Sequence, residues 1–254
     1  MPAPARPPLA RRIGAELIGS AWLAVVVVGS GIAAQRLSPT DVGLQLAENA
    51  VATAAGLAVI ILAVGPVSGA HLNPVISLAD AWLGRPAGTG LTRRQLAAYL
   101  PVQVLGCAVG TVLANLMFAR PAVTLSQHHR SSPHLLLAEV VATAGLLVVV
   151  FALARSGRAG AAPAAVGAYI GSAYFFTSST SFANPAITVG RALSNTFAGI
   201  APASVPGFVA AQLVGLLLGV ALVRLLYPDA APAAGHVVVP PLDPAEQTPD
   251  RSTR

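Results

Sequence analysis

Long apolar runs, parted by short polar breaks, dominate this chain. Six runs approach the ~20 residues a helix needs to cross a hydrocarbon core: 13–34, 46–65, 95–118, 135–155, 162–179 and 205–227. The breaks carry turn chemistry, such as Ser38-Pro39-Thr40-Asp41 and Arg155-Ser156-Gly157-Arg158. The first run follows Arg11-Arg12 and ends at Ala33-Ala34, the framing of a secretory leader. It is longer than a leader's apolar core and holds Glu16, so it reads as a first span after a short tail, 1–12. From Pro228 the chain turns Pro-rich, with Pro240-Pro241 and Pro244, and 228–254 reads as a disordered tail.

Two further apolar stretches are too short to cross. One runs from Asn73 to Trp82 and the other from Asn184 to Leu193. As helices each covers ~15 Å, half of a ~30 Å core. Both open Asn-Pro. Asparagine is a favoured N-cap, and proline is tolerated in the first turn because its missing N–H had no partner there. Each is therefore a helix that starts at membrane depth. Irregular backbone survives at that depth only inside protein or beside a watery cavity. Two half-helices entering from opposite sides would together make one span, with their positive N-terminal ends facing each other. Inverted-repeat transport proteins are built this way.

The repeat is visible in the residues. Gln103-Val104-Leu105-Gly106 with Gly110 matches Gln212-Leu213-Val214-Gly215 with Gly219. Ala15-Glu16 in the first span matches Ala138-Glu139 in the fourth. The halves fall near 13–118 and 135–227, each with three spans and a half-helix between its second and third. An odd number of spans per half inverts the second copy. The expected fold is an all-α membrane protein of six transmembrane helices and two re-entrant half-helices, in an inverted three-plus-three repeat.

Composition agrees. Only 9% of residues are charged against 55% hydrophobic, whereas a soluble domain carries about 25% charged. All 15 basic residues are Arg, scattered singly and in pairs, which does not make the clustered basic groove of a nucleic-acid binder. Eleven of them fall on the side of both chain ends and four on the other, which places both termini in the cytoplasm. The single cysteine, Cys107, excludes an internal disulfide and a thiol-rich metal site.

With two Asn-Pro half-helices, one per half, the chain resembles the aquaporin (major intrinsic protein) family over about 13–227. The specific element is Ser68-Gly69-Ala70-His71-Leu72-Asn73-Pro74, followed by Asn184-Pro185-Ala186. The resemblance implies a homotetramer in the inner membrane with one pore per subunit and no cofactor. It departs in two places. Val75 follows the first Asn-Pro where the family has Ala, and Ile187 follows the second motif where the family usually has Arg. The nearest arginine, Arg191, stands four residues on and so shares that helix face, ~5.4 Å further along.

Carried over by ungapped spacing, the family's narrow outer filter falls on Thr53, Ser172, Ser181 and Ile187. These are smaller than the Phe, His and Arg of water-specific members and uncharged. A pore for glycerol, urea, ammonia or neutral metalloid hydroxides such as arsenous acid is expected; a water-selective pore is the alternative. The side-chain amides of Asn73 and Asn184 offer donors to a passing oxygen. The resemblance adds acceptors from the backbone of Gly69-Ala70-His71 and Thr180-Ser181-Phe182. Apolar residues such as Val59 and Val189 are expected to line the rest. Glu16 and Glu139 are expected to accept backbone N–H groups of the loops before the half-helices, and Gln103 and Gln212 to play a similar structural part. His71 is a polar neighbour of the pore or a protonation gate. His128, His129 and His134 fit a solvated outer loop better than a metal site.

Two other classes compete. An ion-coupled transporter also uses broken helices but wants a midplane carboxylate, for which Glu16 and Glu139 are the candidates. An intramembrane enzyme lacks its motifs: no Asp falls in the six spans, and neither His-Glu-x-x-His nor Gly-x-Ser-x-Gly occurs.

Overall fold

A computed structural model describes residues 7–228. The expected tail beyond Pro228 lies outside the described residues. Eight α-helices follow one another: α1 Leu9–Leu37, α2 Val42–Ser68, α3 Pro74–Leu83, α4 Arg93–Met117, α5 Pro133–Arg155, α6 Ala162–Phe176, α7 Pro185–Arg191 and α8 Val205–Leu226. No strand occurs among the described residues. Five helices are long and apolar enough to cross a membrane: α1, α2, α4, α5 and α8 with the turn before it. The sixth crossing is α6, whose 15 residues are extended by the single turn Ala159–Ala161. The exposed apolar side chains on their outer faces, such as Ile18, Val51, Leu62, Leu137 and Phe175, would be untenable in water and suit lipid.

Helix ends differ from the sequence expectation where local chemistry decides. α1 begins at Leu9 with Pro8 as its cap residue, so the last residues of the expected N-tail are helical. α2 continues through Pro66 to Ser68 instead of ending at 65. Pro66 loses only one bond in the final turn, and Gly69 at φ 90° then closes the helix. α6 stops at Phe176, three residues early, because Thr177 is extended. α7 has seven residues and ends at Arg191 rather than reaching Leu193.

The two halves use the same contacts. α1 packs on α4 and α2; α5 packs on α8 and α6. Close approach depends on glycine: a methyl group on Gly110 of α4 would overlap the Ala21 carbonyl of α1. In the second half, a Cβ on Gly215 of α8 would stand 2.8 Å from the Val140 carbonyl of α5. Each short helix also leans on the last helix of the other half, α3 on α8 and α7 on α4. The apolar core gathers where the halves meet, around Val27, Ile60, Val75, Leu147, Ala186 and Val220.

A candidate pore between the two halves

The segments before α3 and α7 are not helical and hold side chains and carbonyls at odd angles. Ala70 (φ 47°), Leu72 (φ 52°), Thr180 (φ 61°), Ser181 (φ 46°) and Ala183 (φ 46°) all occupy the left-handed region without being glycine. Each such residue costs roughly 1–2 kcal/mol. A buried carboxylate offsets this in each half. Glu16 Oε1 accepts the His71 N–H at 3.0 Å and the Ser68 hydroxyl at 2.6 Å; Oε2 accepts the Leu72 N–H and the Gln103 amide, both at 2.8 Å. Glu139 repeats the pattern: Oε1 accepts the Phe182 N–H at 2.9 Å, and Oε2 accepts the Ala183 N–H at 2.8 Å and the Gln212 amide at 2.7 Å. Gln103 and Gln212 each donate again, to Ser77 Oγ and Thr188 Oγ1, both at 2.9 Å. One hydroxyl on each short helix is thereby tied to its neighbour.

The asparagines meet at the centre. Asn73 Oδ1 caps its own helix by accepting the Val75 N–H at 3.0 Å, and Asn184 Oδ1 accepts those of Ala186 and Ile187 at 2.9 and 3.3 Å. Their amide nitrogens cross over. Asn73 Nδ2 donates to the Ala183 carbonyl and Asn184 Nδ2 to the Leu72 carbonyl, each at 2.8 Å. An amide carries two N–H groups. One is used in the crossing and fixes the amide plane, which leaves the second on each side for an oxygen in the cavity.

That cavity encloses about 70 Å³ and both asparagines line it, room for a short file of waters. Its walls come from i, i+4 rows on four helices: Leu23 and Val27 on α1, Thr53, Leu57 and Ile61 on α2, Leu146 and Val150 on α5, and Val166, Ile170 and Tyr174 on α6. The bore is thus mainly apolar, with polar groups at its centre and ends. Ala70, His71, Ser181, Phe182, Ile187 and Arg191 also line it. His71 Nδ1 lies 3.1 Å from Ser77 Oγ, with its ring edge-on to Tyr99.

Several sequence assignments need correcting. Ser172 is not on the cavity; it is exposed, and its hydroxyl donates to the Ala168 carbonyl at 2.7 Å. Residues i and i+2 of an α-helix point ~200° apart, so when Tyr174 faces inward Ser172 faces out. Tyr174 takes its place, with its hydroxyl 3.2 Å from Thr53 Oγ1. Val59 is 51% exposed and Val189 only half-buried, and neither lines the bore. Gly69 and Thr180 stand behind the lining, as the cap of α2 and as a turn residue whose N–H donates to Thr177.

Arg191 faces the cavity although it is set one turn beyond Ile187. Its Nε donates to the Ala198 carbonyl, and its guanidinium lies 3.4 Å above the centre of the Phe182 ring. Sequence reasoning missed a second guanidinium, behind the lining on the Phe182 ring. Arg130, from the connection between α4 and α5, sits 5.2 Å from the same ring and donates to the carbonyls of Gly199 and Ser179. Burial lowers the pKa of Arg130 from the ordinary guanidinium value, while the Glu139 carboxylate opposes that. Ser181 Oγ is buried beside this pair without a protein partner. The end of the bore formed by Thr53, Tyr174, Ser181 and Arg191 is therefore rich in hydrogen-bonding groups and positive. Among the described residues no carboxylate lines the bore, and no cluster of three His, Cys, Asp or Glu is placed to hold a metal.

Comparison with known proteins gives a consistent family. Residues 5–183 match the family model described as Major intrinsic protein. Aquaglyceroporin AqpS of Rhizobium meliloti (strain 1021) is 47% identical over 224 residues, covering 88% of this chain and 93% of AqpS. Aquaporin Z of Rhodopseudomonas palustris is 31% identical over 234 residues, 85% and 92% of the two chains. The X-ray structure of the aquaglyceroporin from Plasmodium falciparum superposes with a TM-score of 0.63 at 18% identity, over 89% of this chain and 99% of that one, a likeness of fold.

Proposed function

This chain belongs to the major intrinsic protein family, a family of channels, and from that premise we propose that it is a passive pore for water and small uncharged solutes bearing hydroxyl or amine groups. Glycerol, urea, ammonia and neutral metalloid hydroxides such as arsenous acid are its solute class. The observation that carries this reading is the outer end of the bore. Ile187 stands where an arginine would narrow it, and Thr53, Tyr174, Ser181 and Arg191 ring it with hydrogen-bonding groups. The similarity to AqpS, named an aquaglyceroporin, supports the same choice over a water-selective pore.

The mechanism follows from sparse polar contacts along an apolar tube. A solute exchanges part of its hydration for the Thr53, Tyr174, Ser181 and Arg191 groups, then slides past Leu57, Ile170 and Val150. At the centre the free N–H groups of Asn73 and Asn184 receive an oxygen while loop carbonyls accept its hydrogens. Contacts this sparse bind weakly, so the solute leaves as readily as it enters. The two central donors orient a water with its oxygen toward them, which breaks a continuous donor–acceptor chain and opposes proton passage. Cations meet the Arg191 guanidinium at one end, with Arg130 behind it, and the positive ends of the two short helices at the centre, in surroundings of low dielectric. Glu16 and Glu139 are occupied by loop N–H groups, which argues against a coupled-ion site on either.

The conducting unit comprises the two inverted halves, about 13–118 and 135–227. It works as a homotetramer in the inner membrane, with both termini in the cytoplasm, consistent with the arginine distribution. Stopped-flow light scattering on proteoliposomes tests the solute class, comparing water, glycerol and arsenous acid. Linear, non-saturating flux of all three is expected. Sodium or potassium conductance as the main activity overturns the reading.

A further inference from the structure

A second, larger cavity of about 650 Å³ lies apart from the bore, where α3, the turn after it, the start of α4 and the middle of α8 come together. Its walls divide by chemistry. Leu78, Trp82, Leu96 and Leu216 make an apolar side, while Arg85 and Arg93 stand at its edge. Both arginines are exposed. A third guanidinium, that of Arg224, lies 5.3 Å from the Trp82 ring. The nearby carboxylate of Asp80 is buried, and its Oδ2 accepts the Leu91 N–H at 2.8 Å.

The position matters as much as the lining. Arg224 is in the last turn of α8 and Arg93 opens α4, so this is the arginine-rich end of the helices, where apolar spans give way to polar connections. An indole at such a boundary sits well between hydrocarbon and head groups. The apolar wall does not stop at the cavity. Leu213, one turn deeper than Leu216 on α8, and Leu217 beside it are both exposed to the lipid side. Three guanidiniums at the rim and a greasy slot running from them along an outer face fit an amphiphile with a negative head. A soluble anion makes no use of the slot; a zwitterionic lipid sets its own cation against Arg224.

We propose that this cavity is a binding site for an anionic phospholipid, with the phosphate between Arg85 and Arg93 and an acyl chain passing over Trp82 and Leu216 along Leu213. Basic pockets between membrane helices hold anionic head groups for the same reason. Native mass spectrometry of the full-length protein in detergent tests it, with dioleoyl phosphatidylglycerol, dioleoyl phosphatidylcholine and glycerol 3-phosphate as probes. Phosphatidylglycerol is expected to be retained at least about tenfold more tightly than phosphatidylcholine, as two basic residues at a head group would give, and glycerol 3-phosphate not at all. Arg85→Gln with Arg93→Gln removes the preference; Arg85→Lys with Arg93→Lys keeps most of it; Arg158→Gln, an exposed arginine outside the cavity, changes nothing. Leu216→Trp fills the slot and lowers retention of both lipids with the arginines intact, which keeps the test decisive if the double Gln variant does not fold. Equal retention of the two lipids, glycerol 3-phosphate binding as tightly as the whole lipid, or a Leu216→Trp variant that binds like the parent each overturns the proposal.

Discussion

Replacing Glu139 by glutamine changes one atom of a carboxylate that holds a strained loop. Three donors converge on it: the Phe182 N–H on one oxygen, and the Ala183 N–H and Gln212 amide on the other. Glutamine keeps a single acceptor. Its best orientation turns that oxygen to Ala183 and Gln212, and sets an N–H against the Phe182 N–H. One charge-assisted bond of about 1.5–3 kcal/mol is lost and a buried donor is left unpaired at about 1–3 kcal/mol. The sum, about 2.5–6 kcal/mol, is comparable with the roughly 1–2 kcal/mol apiece stored in the left-handed Thr180, Ser181 and Ala183. The loop is therefore expected to relax. The Ala183 carbonyl then turns away from Asn73 Nδ2, whose amide loses its fixed plane, and the row of carbonyls on that side of the bore breaks. At matched protein density in proteoliposomes, water and glycerol flux should both fall by more than about tenfold, given about 1.4 kcal/mol per decade. Glu48→Gln, which alters a carboxylate bound to Ser38 and away from the bore, should leave flux unchanged. A Glu139→Gln protein that conducts like the parent, with the same unfolding temperature, would refute the reasoning.

Other consequences are as direct. Ile187→Arg adds a guanidinium one turn inside Arg191, and glycerol flux should fall well before water flux in the same vesicles. Tyr174→Phe removes the hydroxyl that meets Thr53 and should alter the glycerol-to-water ratio, whereas Ser172→Ala, on the outer face, should not. Gly110→Ala forces a methyl group into the Ala21 carbonyl and should lower the unfolding temperature, the usual cost of overpacking being about 1–3 kcal/mol; Gly14→Ala, with open space around it, should be neutral or mildly stabilising.

How far the residues alone reached depends on the scale of the feature. Spans and half-helices were legible because lipid imposes length and apolarity on one and Asn-Pro caps the other. The pairing of Glu16 and Glu139 with loop N–H groups could be anticipated, since a carboxylate inside an apolar span needs donors and an irregular loop has them free. Facing was harder. Counting from Asn184 put Ser172 in the bore because spacing ignores where α6 ends; the row Val166, Ile170, Tyr174 carries the right phase, but apart from Tyr169 the residues around it are small or apolar too. Lipid and bore are both apolar surroundings, so hydropathy cannot tell Val59, on the outside, from Leu57, on the inside. Arg130 was invisible for a different reason. It reaches the Phe182 ring from a connection with no regular structure, and no sequence period links the two.

The crossed amides have a consequence for biogenesis. Asn73 finds its acceptor 110 residues downstream, and Asn184 finds its own 112 residues upstream. Neither lip of the pore is finished until the ribosome has delivered the other. A nascent first half can enter the bilayer, yet it must wait there with a polar amide and a strained turn unmatched, a long-range closure of the kind that slows folding. Severing the chain between 119 and 132 and co-expressing the fragments should restore transport, while either fragment alone should be inert and quickly degraded.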